Sequence, residues 1–182
     1  RFDFPFKVSA GSPLAAAGYA LHLDASHVVG YLRDFLQNQN VKRINAHVVG
    51  VNQRENGNID SLELNSRQRV QGDFFIDCSG LRGLLIGESL NASYESWNQY
   101  LPCDRAVVVH STRSGLAAPF TTSRAREAGW SWQIPLQKWM SSGYVFSSGH
   151  CSDAQAMRVL LGSVEGEPLN EPHFIPFRTG MR

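Results

Sequence analysis

The run Trp130-Ser131-Trp132-Gln133-Ile134-Pro135 constrains this chain more than any other stretch. It places two of the four tryptophans two residues apart and stops them with a proline. On an extended strand, residues i and i+2 project to the same face, so both indoles point one way. Pro135 ends the ladder because it has no N–H to donate. A paired-indole wall is costly to leave in water and stiff once buried. Spacing alone favours ordinary core, and the reading changes only with the neighbouring motifs.

The 182 residues carry a net charge of +1, which gives neither a basic footprint for nucleic acid nor a polybasic membrane patch. No apolar run reaches membrane-spanning length, and no signal peptide is expected. Cys78, Cys103 and Cys151 are odd in number and contain no C-x-x-C pair, so neither a disulfide framework nor a structural zinc site is expected. No metal site is assigned, and a reducing cytoplasm fits best. The sequence begins at Arg1 with Phe2, Phe4 and Phe6 close behind, and it ends in mid-pattern after Phe174. These ends predict a segment of a larger enzyme.

Residues 1–18 read as a Gly-, Pro- and Ala-rich loop. Asp24 then precedes Val28, Val29, Tyr31, Leu32, Phe35 and Leu36, which predicts a capped amphipathic helix over 25–38. From Val41 the period becomes two, predicting strands over 46–53, 58–65 and 68–77, with turns at Asn56-Gly57-Asn58 and Ser66-Arg67. The third strand ends in Phe74-Phe75-Ile76-Asp77, an apolar run suited to a strand covered on both faces. Within this chain alone, that run and Phe2–Phe6 are expected to be exposed and to promote association. A sharp turn at Cys78-Ser79-Gly80 and a short helix from Leu84 follow. The second half predicts strands over 104–112, 119–126, 129–134 and 143–149, with Ser141-Ser142-Gly143 as a turn. Ser152 or Asp153 caps a helix over 153–161. A soft boundary near 91–103 divides the chain into 1–90 and 91–182.

A meander followed by a buried strand and Asp77-Cys78-Ser79-Gly80 suits a nucleotide cofactor, because glycine admits close backbone approach and exposed N–H groups can meet a phosphate. The G-x-G-x-x-G fingerprint is absent, and Gly80-Leu81-Arg82-Gly83 does not replace it. There is no G-x-S-x-G, no H-E-x-x-H and no evident catalytic triad order. Asp77 is expected to hydrogen-bond the turn that follows it. Asp104-Arg105 is either an ion pair beside the second sheet or a ligand contact, and the pair is the favoured reading.

With these pieces in place, the chain resembles the flavin-dependent tryptophan halogenases. The resemblance rests first on Trp130, Trp132, Ile134 and Pro135. It extends through Tyr19–Ala25, Asp73–Leu85, Leu101–Val107, Ala128–Trp130, Gly143–Ser148 and Phe177–Gly180. It implies an α/β class, α+β within this segment: part of a FAD-binding, flavin-monooxygenase-like fold without its N-terminal dinucleotide-binding βαβ unit. Residues 1–90 would then form part of the flavin-binding domain and 91–182 part of the substrate-side sheet.

The implied chemistry uses reduced FAD, oxygen and halide to make hypohalous acid, which passes through a tunnel to an electron-rich aromatic ring. A separate flavin reductase would supply the reduced flavin, and a homodimer is compatible. Bulky, stiff rings can occlude a channel to an organic substrate while a small oxidant passes, which suits the paired tryptophans to that tunnel. The resemblance assigns Val48, Ser79 and Gly80 to the cofactor side. The family's glycine-rich motif and catalytic lysine match positions before Tyr19, with Lys7 too close to Tyr19 to serve, and its glutamate matches a position beyond Arg182. No catalytic residue is therefore assigned in this chain, and the segment alone is expected to be inactive and to bind flavin weakly. A flavin monooxygenase of the same fold and a non-catalytic domain reusing the scaffold are the alternatives.

Overall fold

The computed structural model describes residues 21–113 and 115–182. The expectations for the 1–18 loop, for Phe2–Phe6 and for Lys7 lie outside the described residues, as do Tyr19 and Ala20.

The first helix, α1, spans Ala25–Gln37, and Asp24 caps it by accepting from the Ser26 N–H at 3.0 Å. The predicted apolar stripe is present, yet Val29, Leu32, Phe35 and Leu36 are exposed. A three-stranded antiparallel sheet follows, with β1 (Val48–Gln53), β2 (Ile59–Leu64) and β3 (Arg69–Gln71) in that order. Both predicted turns connect these strands.

The third strand is shorter than its sequence pattern predicts. It ends at Gln71, and residues 74–77 join no ladder. Phe74 and Ile76 are 82% and 77% exposed, because no described strand pairs with this stretch. An apolar run becomes a buried strand only where neighbours satisfy its backbone and cover its side chains.

A 3₁₀ turn at Gly80–Arg82 leads into a π-helical turn at Leu84–Ser89, where a short helix is expected. The chain then forms β4 (Glu95–Ser96) and the long β5 (Arg105–Thr112). Strands β6 (Thr122–Arg126), β7 (Gly129–Pro135) and β8 (Trp139–Phe146) form a meander. The predicted turn at Ser141-Ser142-Gly143 does not exist: those residues lie inside β8, paired with Ile134, Gln133 and Trp132. The chain instead reverses between Pro135 and Trp139, directly after the residue that cannot extend the ladder as a donor.

Helix α2 (Asp153–Leu161) is capped by Ser152 in a reciprocal box with Gln155. Strands β9 (His173–Pro176) and β10 (Gly180–Met181) complete the chain. The main sheet runs β6-β7-β8-β5-β9, and β10 pairs with β4. Every described pairing is antiparallel, so the mixed class appears in its α+β form.

Alternation divides the main sheet into two chemically distinct faces. Val107, Val109, Tyr144 and Phe146 pack with Ala156 and Leu160 of α2 to form the core. Full burial of such side chains contributes about 1.5–3 kcal/mol for each larger one. The other set of alternating residues forms the face that carries the tryptophans.

Candidate functional site

Residues Trp130, Trp132 and Ile134 occupy alternate positions on β7, opposite Val145, Gly143 and Ser141 of β8. The two indoles share a face, with ring centroids 5.8 Å apart and planes inclined by 49°. Trp130 is 44% exposed whereas Trp132 is half-buried, so the pair grades from an open rim towards the sheet interior. Pro135 is buried at the end of the ladder, opposite Met140.

The face holds a third indole that the sequence pattern does not reveal. Trp139 begins β8 in phase with Ser141, Gly143 and Val145, and its ring centroid lies 4.1 Å from that of His110 on β5. Reading Ser-Ser-Gly as a turn conceals the alternation that would place it. Burial holds the His110 pKa below its ordinary value, and nearby His173 adds to this against the opposing pull of Asp24. The ring is therefore neutral near pH 7.

Two polar contacts tie the segment before α1 to this aromatic face. Trp139 Nε1–H donates to Asp24 Oδ2 at 3.2 Å, while the other Asp24 oxygen caps the helix. His22 Nδ1 lies 2.9 Å from the Pro135 carbonyl and must carry the proton there, because a carbonyl only accepts. His22 Nε2 lies 3.2 Å from the Thr121 hydroxyl. His22 thus holds the end of β7 from one side and the approach to β6 from the other.

A separate cleft of about 510 Å³ contains Asp77, Gly80, Tyr94, Arg178 and Arg182. Asp77 organises its wall as expected. One carboxylate oxygen accepts from Ser79 N–H and Oγ–H, and the other accepts from the Leu85 and Ile86 amides at 2.8 and 3.0 Å. The Ser79 hydroxyl, followed by the Ile86 amide, holds the Asp77 pKa far below the usual carboxylate range. Ser79 Oγ also accepts from the Leu84 N–H at 2.6 Å, so its hydrogen bonding is engaged within the turn.

Gly80 has φ +67°, and no atom lies within 4 Å of where a Cβ would stand, leaving the backbone open to the cleft. Arg178 and Arg182 lie over the Tyr94 ring at 4.8 and 5.4 Å from its centroid. Val48 is half-buried on β1 and does not line this cleft. The structure therefore brings Gly80 to an open cationic cleft, engages the Ser79 hydroxyl within its own exposed turn and leaves Val48 on β1, away from the cleft.

The expected Asp104–Arg105 pair is replaced by two other contacts. Asp104 accepts from Ser148 N–H and Oγ–H at 2.8 and 2.6 Å, whereas Arg105 pairs with Asp153 at 2.6 Å. Asp104 lies just before β5 and turns to Ser148, whereas Arg105 opens the strand and faces the start of α2. Cys78, Cys103 and Cys151 are free thiols, and the described residues contain no group of three or more His, Cys, Asp or Glu side chains able to hold a metal. Among the described residues, no helix is long and apolar enough to cross a membrane.

Comparison with known proteins assigns this sheet and its paired-indole strand to a class. The tryptophan halogenase family model matches residues 2–182. The chain belongs to that family. It is 37% identical to tryptophan 6-halogenase ThaL of Streptomyces albogriseolus, covering 78% of this chain and 27% of that protein. It is 34% identical to tryptophan 7-halogenase RebH of Lentzea aerocolonigenes, covering 89% and 32% of the two chains. Among solved structures, BrvH, a flavin-dependent halogenase from Brevundimonas sp. BAL3, matches with a TM-score of 0.86 and 43% identity. That match covers 97% of this chain and 37% of BrvH. The chain thus spans about a third of the length of the curated relatives it matches.

Proposed function

We propose that this chain is a segment of a reduced-flavin-dependent halogenase that chlorinates or brominates an electron-rich, indole-like aromatic ring. The observation that carries this reading is the shared orientation of Trp130 and Trp132, 5.8 Å apart on a strand ended by Pro135. Rigid indoles can exclude an aromatic substrate from one side while admitting a small oxidant. Trp139, packed against neutral His110, extends the same surface.

The cleft beside Gly80 suits one part of FAD, with the phosphate-binding remainder expected from positions before Tyr19. The open glycine permits close approach of a flat or phosphorylated group, and Arg178 and Arg182 provide positive charge. When bound and reduced, FAD would supply the electrons that convert oxygen and halide into hypohalous acid. Gly80 would contact it through its backbone, Ser79 would shape the turn, and Val48 would serve the cofactor side from β1. Trp130, Trp132, Ile134 and Pro135 would form the tunnel wall. Residues 1–90 would belong to the flavin-binding domain and 91–182 to the substrate side, in a protein working in a reducing cytoplasm with a separate flavin reductase.

The experiment incubates the intact protein containing this segment with FAD, a flavin reductase, chloride or bromide, and a panel of indoles, pyrroles and phenols. A halogenated ring is expected. Oxygenated products alone would establish the monooxygenase alternative, and no turnover with any member would favour a non-catalytic domain.

A further inference from the structure

Gly143 sits inside β8, where glycine weakens a strand and offers no side chain to pack. Its backbone does not require glycine, since it is not among the residues with positive φ. It is paired instead with Trp132 on β7 and with Val108 on β5. A Cβ at Gly143 would fall 2.7 Å from indole Cε2 of Trp132 and closer still to Cζ2 and Cη2. The six-membered ring therefore occupies the space that any other residue at 143 would fill.

The geometry points to Gly143 as a positioning residue: its missing side chain seats the indole of Trp132 and thereby sets the angle between the two tunnel tryptophans. The effect on the tunnel rests on the halogenase reading above, whereas the effect on the indole pair does not. With Trp132 lying over Gly143, the Trp130 and Trp132 planes make their 49° angle. A methyl at position 143 would push the ring outward, since closely packed aromatic groups cannot absorb such an overlap without changing rotamer or shifting backbone. The aperture beside the pair would change with it. Gly143 touches neither flavin nor substrate in this role and acts through Trp132.

The test uses circular dichroism of the intact protein, because two indoles at this separation couple electronically and give a paired band of opposite signs. Trp130→Phe assigns that band by removing it. Gly143→Ala is expected to lose or invert the band while retaining cooperative melting. The double variant Gly143→Ala/Trp132→Leu, which removes the six-membered ring, is expected to recover the stability lost in the single variant. In the halogenation assay, Gly143→Ala is expected to lower kcat while the flavin concentration for half-maximal rate stays unchanged.

A wild-type band in Gly143→Ala would overturn the proposal. If Gly143→Ala does not fold, the double variant decides the matter: recovery of folding supports the seat, and failure to recover overturns it. Absence of halogenated product from the wild-type protein would count against the functional reading alone, leaving the dichroism and the rescue to judge Gly143.

Discussion

Trp139 donates its indole N–H to Asp24 across 115 positions of sequence, and the same carboxylate caps α1. One side chain therefore couples the start of an exposed helix to the aromatic face of the main sheet. Replacing Trp139 by Phe keeps an aromatic ring for His110 but removes the donor. The expected outcome is faster amide hydrogen exchange in the first turns of α1, with little change across β5 and β8. Unchanged exchange in α1 would mean that the contact does not hold the helix start.

Asp77 gives the turn beside the cleft a pH dependence of known sign. Its carboxylate is held below its ordinary value of 3.8, first by Ser79 and then by the Ile86 amide. Stability from these contacts is fully present above that unfolded value and is lost as pH falls through the folded one. Asp77→Asn is therefore expected to lower the melting temperature at neutral pH. The difference from wild type should shrink as the solution is acidified below pH 3.8. A difference that grows on acidification would contradict the assignment.

At α2, Ser152 accepts from the Gln155 N–H, and the Gln155 side chain returns to the Ser152 N–H. Ser152→Ala removes the first of these bonds and should cost about 1 kcal/mol in denaturant unfolding. The slope of the transition should not change, because little buried surface depends on the cap.

Much of this fold follows from local chemistry. Asp24 and Ser152 mark both helix starts, and the alternation of Trp130, Trp132 and Ile134 locates β7 without tertiary information. The differences between pattern and structure arise where distant partners decide the outcome. Phe74–Asp77 has the composition of a covered strand, but no described strand covers it. Ser141-Ser142-Gly143 has the composition of a turn, yet the glycine is there to seat Trp132. That resemblance to a turn also hides Trp139, whose place on the aromatic face depends on the register between β7 and β8. Arg105 meets Asp153 rather than its neighbour Asp104 because β5 lies against the start of α2. The shared orientation of Trp130 and Trp132 is legible from their spacing; their grading from rim to interior is not.

In the proposed halogenase, the aromatic face admits a small oxidant and keeps the organic ring away from the flavin. The halide requirement of the intact protein tests it most directly. With FAD, a flavin reductase and oxygen but no chloride or bromide, an indole substrate is expected to be recovered unchanged, and adding halide is expected to yield the halogenated ring. An oxygenated indole formed in the absence of halide would contradict it.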